Sequence, residues 1–296
     1  MAATGGGSGP VGGAVVVGYD GTGESAKAVR WAAAEATTRG RPLVVVWALA
    51  VPLEKLSRVH PSSGEVTFTA LRADALREID EVVSDIRSTG LDVRADARLG
   101  HPARVLLDAS ADAALLVLGS PQPSKIRRIL VGSTAAELIR RAQVPVVAVR
   151  SDDASPPSRV VVGVDGSAHS ERAIGFALDA AERHGAELTA LLVAEEPYPD
   201  ALPPVRGWRL PSDDVDAARR ELAEVLAGRQ ENHPGVTAHQ RVVTDERPAQ
   251  ALVAAGADAD LLVVGTRGRG VVRTTFLGSV SHAVVHYAPC TVAVVR

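Results

Sequence analysis

One stretch constrains this chain more than any other: Leu261 to Ser279, LLVVGTRGRGVVRTTFLGS, together with its near copy Leu115 to Ser133, LLVLGSPQPSKIRRILVGS. Leu261 to Val264 read as a buried strand, a loop with Gly265, Gly268 and Gly270 follows, and Gly278-Ser279 opens a helix. Such a sequence is suited to a phosphate group. Glycines let the backbone come close, and the first turn of a helix offers N–H groups that have no partner inside the helix. In the copy, Gly119 stands for Gly265, Gly132 for Gly278 and Ser133 for Ser279, while Gln122 replaces Gly268.

The rest of the chain repeats as well. Val15 to Val17 run into Gly18-Tyr19-Asp20-Gly21, and Val160 to Val162 run into Gly163-Val164-Asp165-Gly166. Short β-branched runs bounded by glycine predict fully buried strands of a parallel sheet. Helices are expected over Glu24–Arg39 and Ser170–His184, each closed by glycine (Gly40, Gly185) where a C-cap favours it. Trp31 and Phe176 hold matching positions on them and are assigned to the core. Second strands (Leu43–Leu49, Leu188–Val193) lead into irregular segments (Val51–Thr67, Glu195–Pro211). Amphipathic helices (Thr69–Ser88, Asp213–Asn232, the latter with Ser212 as N-cap), third strands (Asp92–Arg98, Val236–Val243) and short helices after Pro102 and Pro248 come next. Fifth strands, Pro145–Val149 and Thr291–Val295, close the halves.

Strands alternating with helices imply an α/β class of fold: two tandem Rossmann-like domains, each a five-stranded parallel sheet covered on both faces. The glycine-rich turns after strands one and four should meet at the point where the winding reverses, which gives the order 3-2-1-4-5. The expected division is a flexible tail over 1–13, domains over 14–150 and 159–296, and a polar, proline-bearing linker over 151–158.

Composition narrows the function. A formal charge of −3 with scattered basic residues argues against a nucleic-acid binder. The one cysteine, Cys290, excludes an intramolecular disulfide; it reads as a small core residue of the last strand, in a reducing compartment. No apolar run approaches the ~18 residues of a membrane span, and the N-terminus lacks the features of a signal peptide, so a cytoplasmic location is expected. His282 and His286 have the helical spacing of a zinc pair but lack the glutamate that a metalloprotease places after the first, and read as structural. His101, without a counterpart in the other repeat, reads as a surface residue.

With these residues in view, the chain resembles the universal stress proteins in their tandem form, from Val15 to Val149 and from Val160 to Val295. The most specific element is the family's ATP-binding signature of glycine, two residues, glycine, nine residues, glycine and serine, matched by Gly265, Gly268, Gly278 and Ser279. The resemblance implies that Asp165 and Asp20, with the residues leading into them (Gly163-Val164, Gly18-Tyr19), lie by ribose and phosphates. It implies backbone contacts to adenine from Val193 and Ala48, and a nucleoside bordered by Val264 with Gly265 and Leu118 with Gly119. Phosphates would rest on Gly268, Gly278, Ser279 and Val280, and on Gly132, Ser133 and Thr134. Magnesium, carried by ATP, would be held partly by Asp165 or Asp20.

Gln122 departs from the pattern. A side chain there would crowd the phosphates and would be strained at a positive φ, while Pro121 and Pro123 remove donors, so the second site is expected to be the better one. Arg267, Arg269 and Arg273, like Lys125, Arg127 and Arg128, lie in the loops and read equally as phosphate partners or as a solvated face. Asp-Gly is also a common turn and Gly-Ser a common helix cap; their recurrence at strand ends in both repeats favours ligand contact. The leading expectation is an ATP-binding regulator of stress or growth arrest that acts through an unknown protein partner. The alternatives are an ATP-hydrolysing or nucleotidyl-transferring enzyme of the same superfamily, and a nucleotide-free interaction module. No catalytic nucleophile or acid–base pair repeats in both halves. By resemblance, the fifth strands would associate within the chain as a pseudo-dimer, and the whole chain would form a homodimer.

Overall fold

A computed structural model describes residues 12–50, 61–120, 132–150, 155–194, 212–244, 247–268 and 277–296. These fall into two compact units, the first ending at Ala154 and the second beginning at Ser155. In unit 1 the elements are β1 (Val15–Tyr19), α1 (Gly23–Arg39), β2 (Leu43–Leu49), α2 (Pro61–Ser88), β3 (Val93–Leu99), α3 (Pro102–Ala109), β4 (Leu115–Gly119), α4 (Ser133–Arg141) and β5 (Val146–Val149). Unit 2 repeats them as β6 (Arg159–Val164), α5 (Ala168–His184), β7 (Glu187–Ala194), α6 (Ser212–Gln230), β8 (Ala238–Thr244), α7 (Pro248–Ala255), a 3-10 turn (Gly256–Asp258), β9 (Leu261–Gly265), α8 (Ser279–Tyr287) and β10 (Thr291–Val295).

Within each unit the strands are parallel. Their order is β3-β2-β1-β4-β5 in the first and β8-β7-β6-β9-β10 in the second, the winding expected from the repeat. The registers repeat too: Val15 stands beside Leu43 and Leu115, as Val160 stands beside Leu188 and Leu261. The central strands are buried on both faces because helices cover both, which is why their sequences run apolar without alternation. Ile79 of α2 and Leu222 of α6 are completely buried and anchor the long helices.

Several boundaries differ from the sequence reading. The first helix of each unit starts one or two residues early, because the caps are Thr22 and Ser167, whose side chains accept from Ser25 N and Ser170 N. α2 begins at Pro61, inside the segment expected to be irregular, and α6 begins at Ser212 itself. β3 and β8 start one and two residues later than expected. Phe176 is only half-buried, whereas Trp31 is in the core. Cys290 precedes β10 and is half-buried, its thiol lying against Gly256. His101 is exposed, as expected, and stands at the N-cap position of α3 without a side-chain capping bond.

Candidate functional site

The cleft of unit 2 is built where β6 and β9 end side by side. Asp165 follows β6 at once, and Gly166 behind it has φ +73°, a left-handed turn that favours glycine. Asp165 Oδ1 accepts from Ser167 N at 3.0 Å, which turns the carboxylate back over the start of α5. Its other oxygen, Oδ2, lies against Gly268, in the space a Cβ on that glycine would need. Gly268 has no positive φ, and the reason for glycine there is proximity to the acid.

The glycine loop is tied down at its root. Thr266 N donates to Val295 O, and Thr266 O accepts from Gly278 N at 2.8 Å and from Ser281 Oγ at 3.1 Å. Ser167 Oγ donates to Arg267 O at 3.4 Å, and the Arg267 Cα lies 3.6 Å from where a Gly278 Cβ would be. Asp165, Gly268, Arg267 and Gly278 thus form a continuous rim. Gly265 lies beneath it: a Cβ there would come within 2.9 Å of the His169 backbone, so only glycine allows β9 to end this close to α5.

The helix start at the rim has spare donors. Gly278 is the N-cap of α8 and makes no side-chain cap, whereas α5 is capped by Ser167. Ser281, which could have served, directs its hydroxyl to the carbonyls of Thr266 and Gly278 instead. In addition, Thr266 is 3% exposed and its hydroxyl has no hydrogen-bond partner among the described residues. The uncapped amides at the start of α8 suit an anion with several oxygens.

His169, on the first turn of α5, went unremarked in the sequence. Burial first, then the cations Arg172, Arg267 and Arg296, hold its imidazole below the usual histidine range, against the opposing pull of Asp165. The signal was a mismatch between the repeats, since Glu24 stands there in unit 1.

Unit 1 keeps the plan with different bonding. Gly119 is even closer to its helix, a Cβ falling 2.5 Å from Glu24 O, and Gly132 caps α4 without a side-chain bond. Asp20 Oδ1, however, accepts from the Thr22 hydroxyl at 2.6 Å and from Thr22 N at 3.1 Å. Partial burial works to raise the Asp20 carboxyl, but hydrogen bonds with Thr22 and Ser25 outweigh it and leave the group below the ordinary aspartate value. Ser120, the counterpart of Thr266, is likewise buried, and its hydroxyl has no partner among the described residues.

Of the other predicted residues, Tyr19 and Val164 are each 6% exposed and can offer a ligand only backbone. Tyr19 packs edge-on to Trp47 with ring centroids 5.1 Å apart. Leu118 and Val264 are buried beneath the glycines, and Gly18 and Gly163 face Leu106 and Leu252 on the far side of the sheet. Ala48 and Val193 are half-buried near the ends of β2 and β7, one strand away from the aspartates. Gly132, Ser133 and Ser279 lead their helices; Gly132, Ser133 and Ser279 are exposed or half-open to solvent, with Thr134 and Val280 half-buried behind them. Gln122, Lys125, Arg127, Arg128, Arg269, Gly270 and Arg273 lie outside the described residues.

The family model described as the universal stress protein family matches this chain twice, over residues 13–150 and 157–296. The chain belongs to the universal stress protein family. A universal stress protein of Mycobacterium tuberculosis is 38% identical over 295 residues, covering 95% of this chain and 96% of its own. The crystal structure of a universal stress protein from Archaeoglobus fulgidus has the same fold, with a TM-score of 0.72 at 23% identity over 96% of this chain and 98% of that one. A further universal stress protein, solved in complex with cAMP, is 27% identical and covers 48% of this chain and 99% of its own, with a TM-score of 0.35. Among the described residues, no helix is long and apolar enough to cross a membrane.

Proposed function

We propose that this universal stress protein is an ATP-binding regulator whose principal site is the cleft of unit 2. The observation that carries the reading is the placement of Asp165 Oδ2 against the bare backbone of Gly268, on the rim that also holds the uncapped start of α8. Polyphosphate would lie along Gly268, Gly278, Ser279 and Val280, where backbone amides neutralise charge without requiring side chains to reorganise. Asp165 would face the ribose and any magnesium brought in by the phosphates, and Val193 would present backbone to adenine. Asp20, Gly119, Gly132 and Ser133 offer a second such site in unit 1.

Occupancy would change the surface around the glycine loop, and with it the association with a protein partner in a stress or growth-arrest response in the cytoplasm. Self-association of the whole chain, read by light scattering with and without ATP, would report that change. The decisive experiment is to purify the full chain, release bound small molecules with acid, identify them by mass spectrometry, and titrate the emptied protein with ATP. An adenine nucleotide at one or two equivalents per chain is the expected result. Recovery of none, with no binding at millimolar ATP, would sink the reading. Steady release of phosphate, abolished in Asp165→Ala, would instead make the protein an enzyme.

A further inference from the structure

The two clefts differ most in the residue that underlies the first glycine. In unit 2 it is His169 and in unit 1 it is Glu24, each the second residue of its helix and each with its backbone packed on the glycine that ends the fourth strand (Gly265, Gly119). His169 is half-buried, sits beside the rim formed by Asp165, Gly268 and Arg267, and lies within electrostatic reach of Arg172, Arg267 and Arg296. Glu24 is partly exposed, and its carboxylate lies 3.8 Å from Lys27. One position of the repeat therefore carries an imidazole set among arginines in one unit and a carboxylate beside Lys27 in the other.

We propose that this position sets the phosphate charge each cleft accepts: with His169, unit 2 favours a nucleoside triphosphate over the monophosphate, and with Glu24, unit 1 lacks that preference. The inference rests on the nucleotide reading above and adds a specificity determinant to it. The physical basis is that a charge on the cleft wall acts on a ligand in proportion to the ligand's own charge. Placing a negative charge on the wall of unit 2 should therefore change affinity most for a triphosphate, less for a monophosphate and hardly at all for a neutral nucleoside. Shape contacts with adenine and ribose, common to all three, would change their affinities alike. The comparison among ligands thus separates charge selection from a general loss of the site.

The test is calorimetric titration of the full chain with ATP, AMP and adenosine, for the natural protein, His169→Glu, His169→Lys and Glu24→His. His169→Glu should weaken ATP by about tenfold and AMP by about threefold while adenosine stays unchanged, and His169→Lys should keep or widen the gap between ATP and AMP. Glu24→His should strengthen ATP binding at the weaker equivalent. Equal weakening of all three ligands in His169→Glu, or an unchanged ratio of ATP to AMP affinity, would overturn the proposal while leaving nucleotide binding intact. If the natural protein bound none of the three, the nucleotide reading would fall first and this one with it. Should His169→Glu melt early, His169→Asp provides the same comparison with a shorter acid; there the ratio should fall about threefold, and an unchanged ratio would overturn the proposal.

Discussion

The clefts of unit 1 and unit 2 share a fold, a register and a pair of glycines, yet they treat the same aspartate differently. In unit 1 the Thr22 hydroxyl donates to Asp20, so the acid is held by its own turn. In unit 2 the matching hydroxyl, Ser167, donates instead to the carbonyl of Arg267, and Asp165 reaches across to Gly268. One hydroxyl proton, directed either to the acid or to the loop, distinguishes a turn that is complete in itself from one joined to the glycine loop. With Glu24 in place of His169, unit 1 also carries an acid at the helix position whose backbone packs on its glycine. A duplicated scaffold can keep its architecture while a few polar contacts let the copies diverge in use.

The sharpest way to break the comparison is at the first glycine. Gly119→Ala would drive a methyl group into the backbone of Glu24 and Ser25, with contacts of 2.5–2.8 Å, and Gly265→Ala would meet His169 at 2.9–3.0 Å. Neither backbone can step aside as a flexible side chain would. Gly119→Ala should cost about 3 kcal/mol of stability and Gly265→Ala about 2 kcal/mol, measured by chemical denaturation. Equal and negligible losses would show that the helices are not held by the strand ends.

Next in size is Gly268→Ala, which collides with the Asp165 carboxylate. It should lower ATP affinity by about tenfold, or ~1.4 kcal/mol, and leave the melting temperature nearly unchanged because Gly268 is exposed. Calorimetry beside a thermal melt gives both numbers. A smaller effect should follow from the caps. Thr22→Ala and Ser167→Ala each remove an N-cap and should each cost about 1 kcal/mol by denaturation. Thr22→Ala should also raise the pKa of Asp20, to which Thr22 donates its hydroxyl; a carboxyl-selective NMR titration of Asp20 reads this directly.

The smallest expected effect is a difference in acid sensitivity. Asp260 Oδ2 accepts from Ser158 N, Ser158 Oγ and Arg159 N at 2.8–2.9 Å, tying the entry of unit 2 to the residue before β9, where unit 1 has Ala114. Burial opposes ionisation, but these hydrogen bonds and the Arg159 charge hold the carboxyl below the ordinary aspartate value. A group with a lowered folded pKa stabilises fully above its unfolded pKa, and that contribution fades as the pH falls through the folded value. Asp260→Ala should therefore cost up to about 1 kcal/mol at neutral pH, reduced by solvent exposure, and almost nothing once the pH lies below the folded pKa. Denaturation series at neutral and strongly acid pH should show the two proteins converge.

Much of this was legible in the chain. Runs such as Val15–Val17 and Leu261–Val264 mark buried strands because nothing else places consecutive β-branched and leucine residues beside glycine. Gly40 and Gly185 end their helices as read, with φ +60° and +65° and their N–H groups donating to carbonyls of the last turn. The strand order followed from where the glycine-rich turns had to meet. Helix starts were less legible: Thr22 and Ser167 follow Asp-Gly, and that dipeptide reads as turn until the bond from the cap to N3 is seen. Gly268 was legible as a place where backbone must come close, but spacing alone does not reveal that the close neighbour is the Asp165 carboxylate. His169 and Glu24 escaped attention because each alone is an unremarkable polar residue near a helix start; only their shared register makes the opposite charges meaningful.

The absence of room at Gly265 has a mechanical consequence. With not even a methyl group's width between the end of β9 and α5, sideways load on the loop root has no slack to absorb it and is passed to the helix as a rigid lever. That lever is 17 residues long, from Ala168 to His184, which makes it about 25 Å from end to end. A small tilt imposed at the mouth would emerge as a larger excursion near Gly185, on the opposite pole of the unit, where an incoming protein could sense the occupant without touching it.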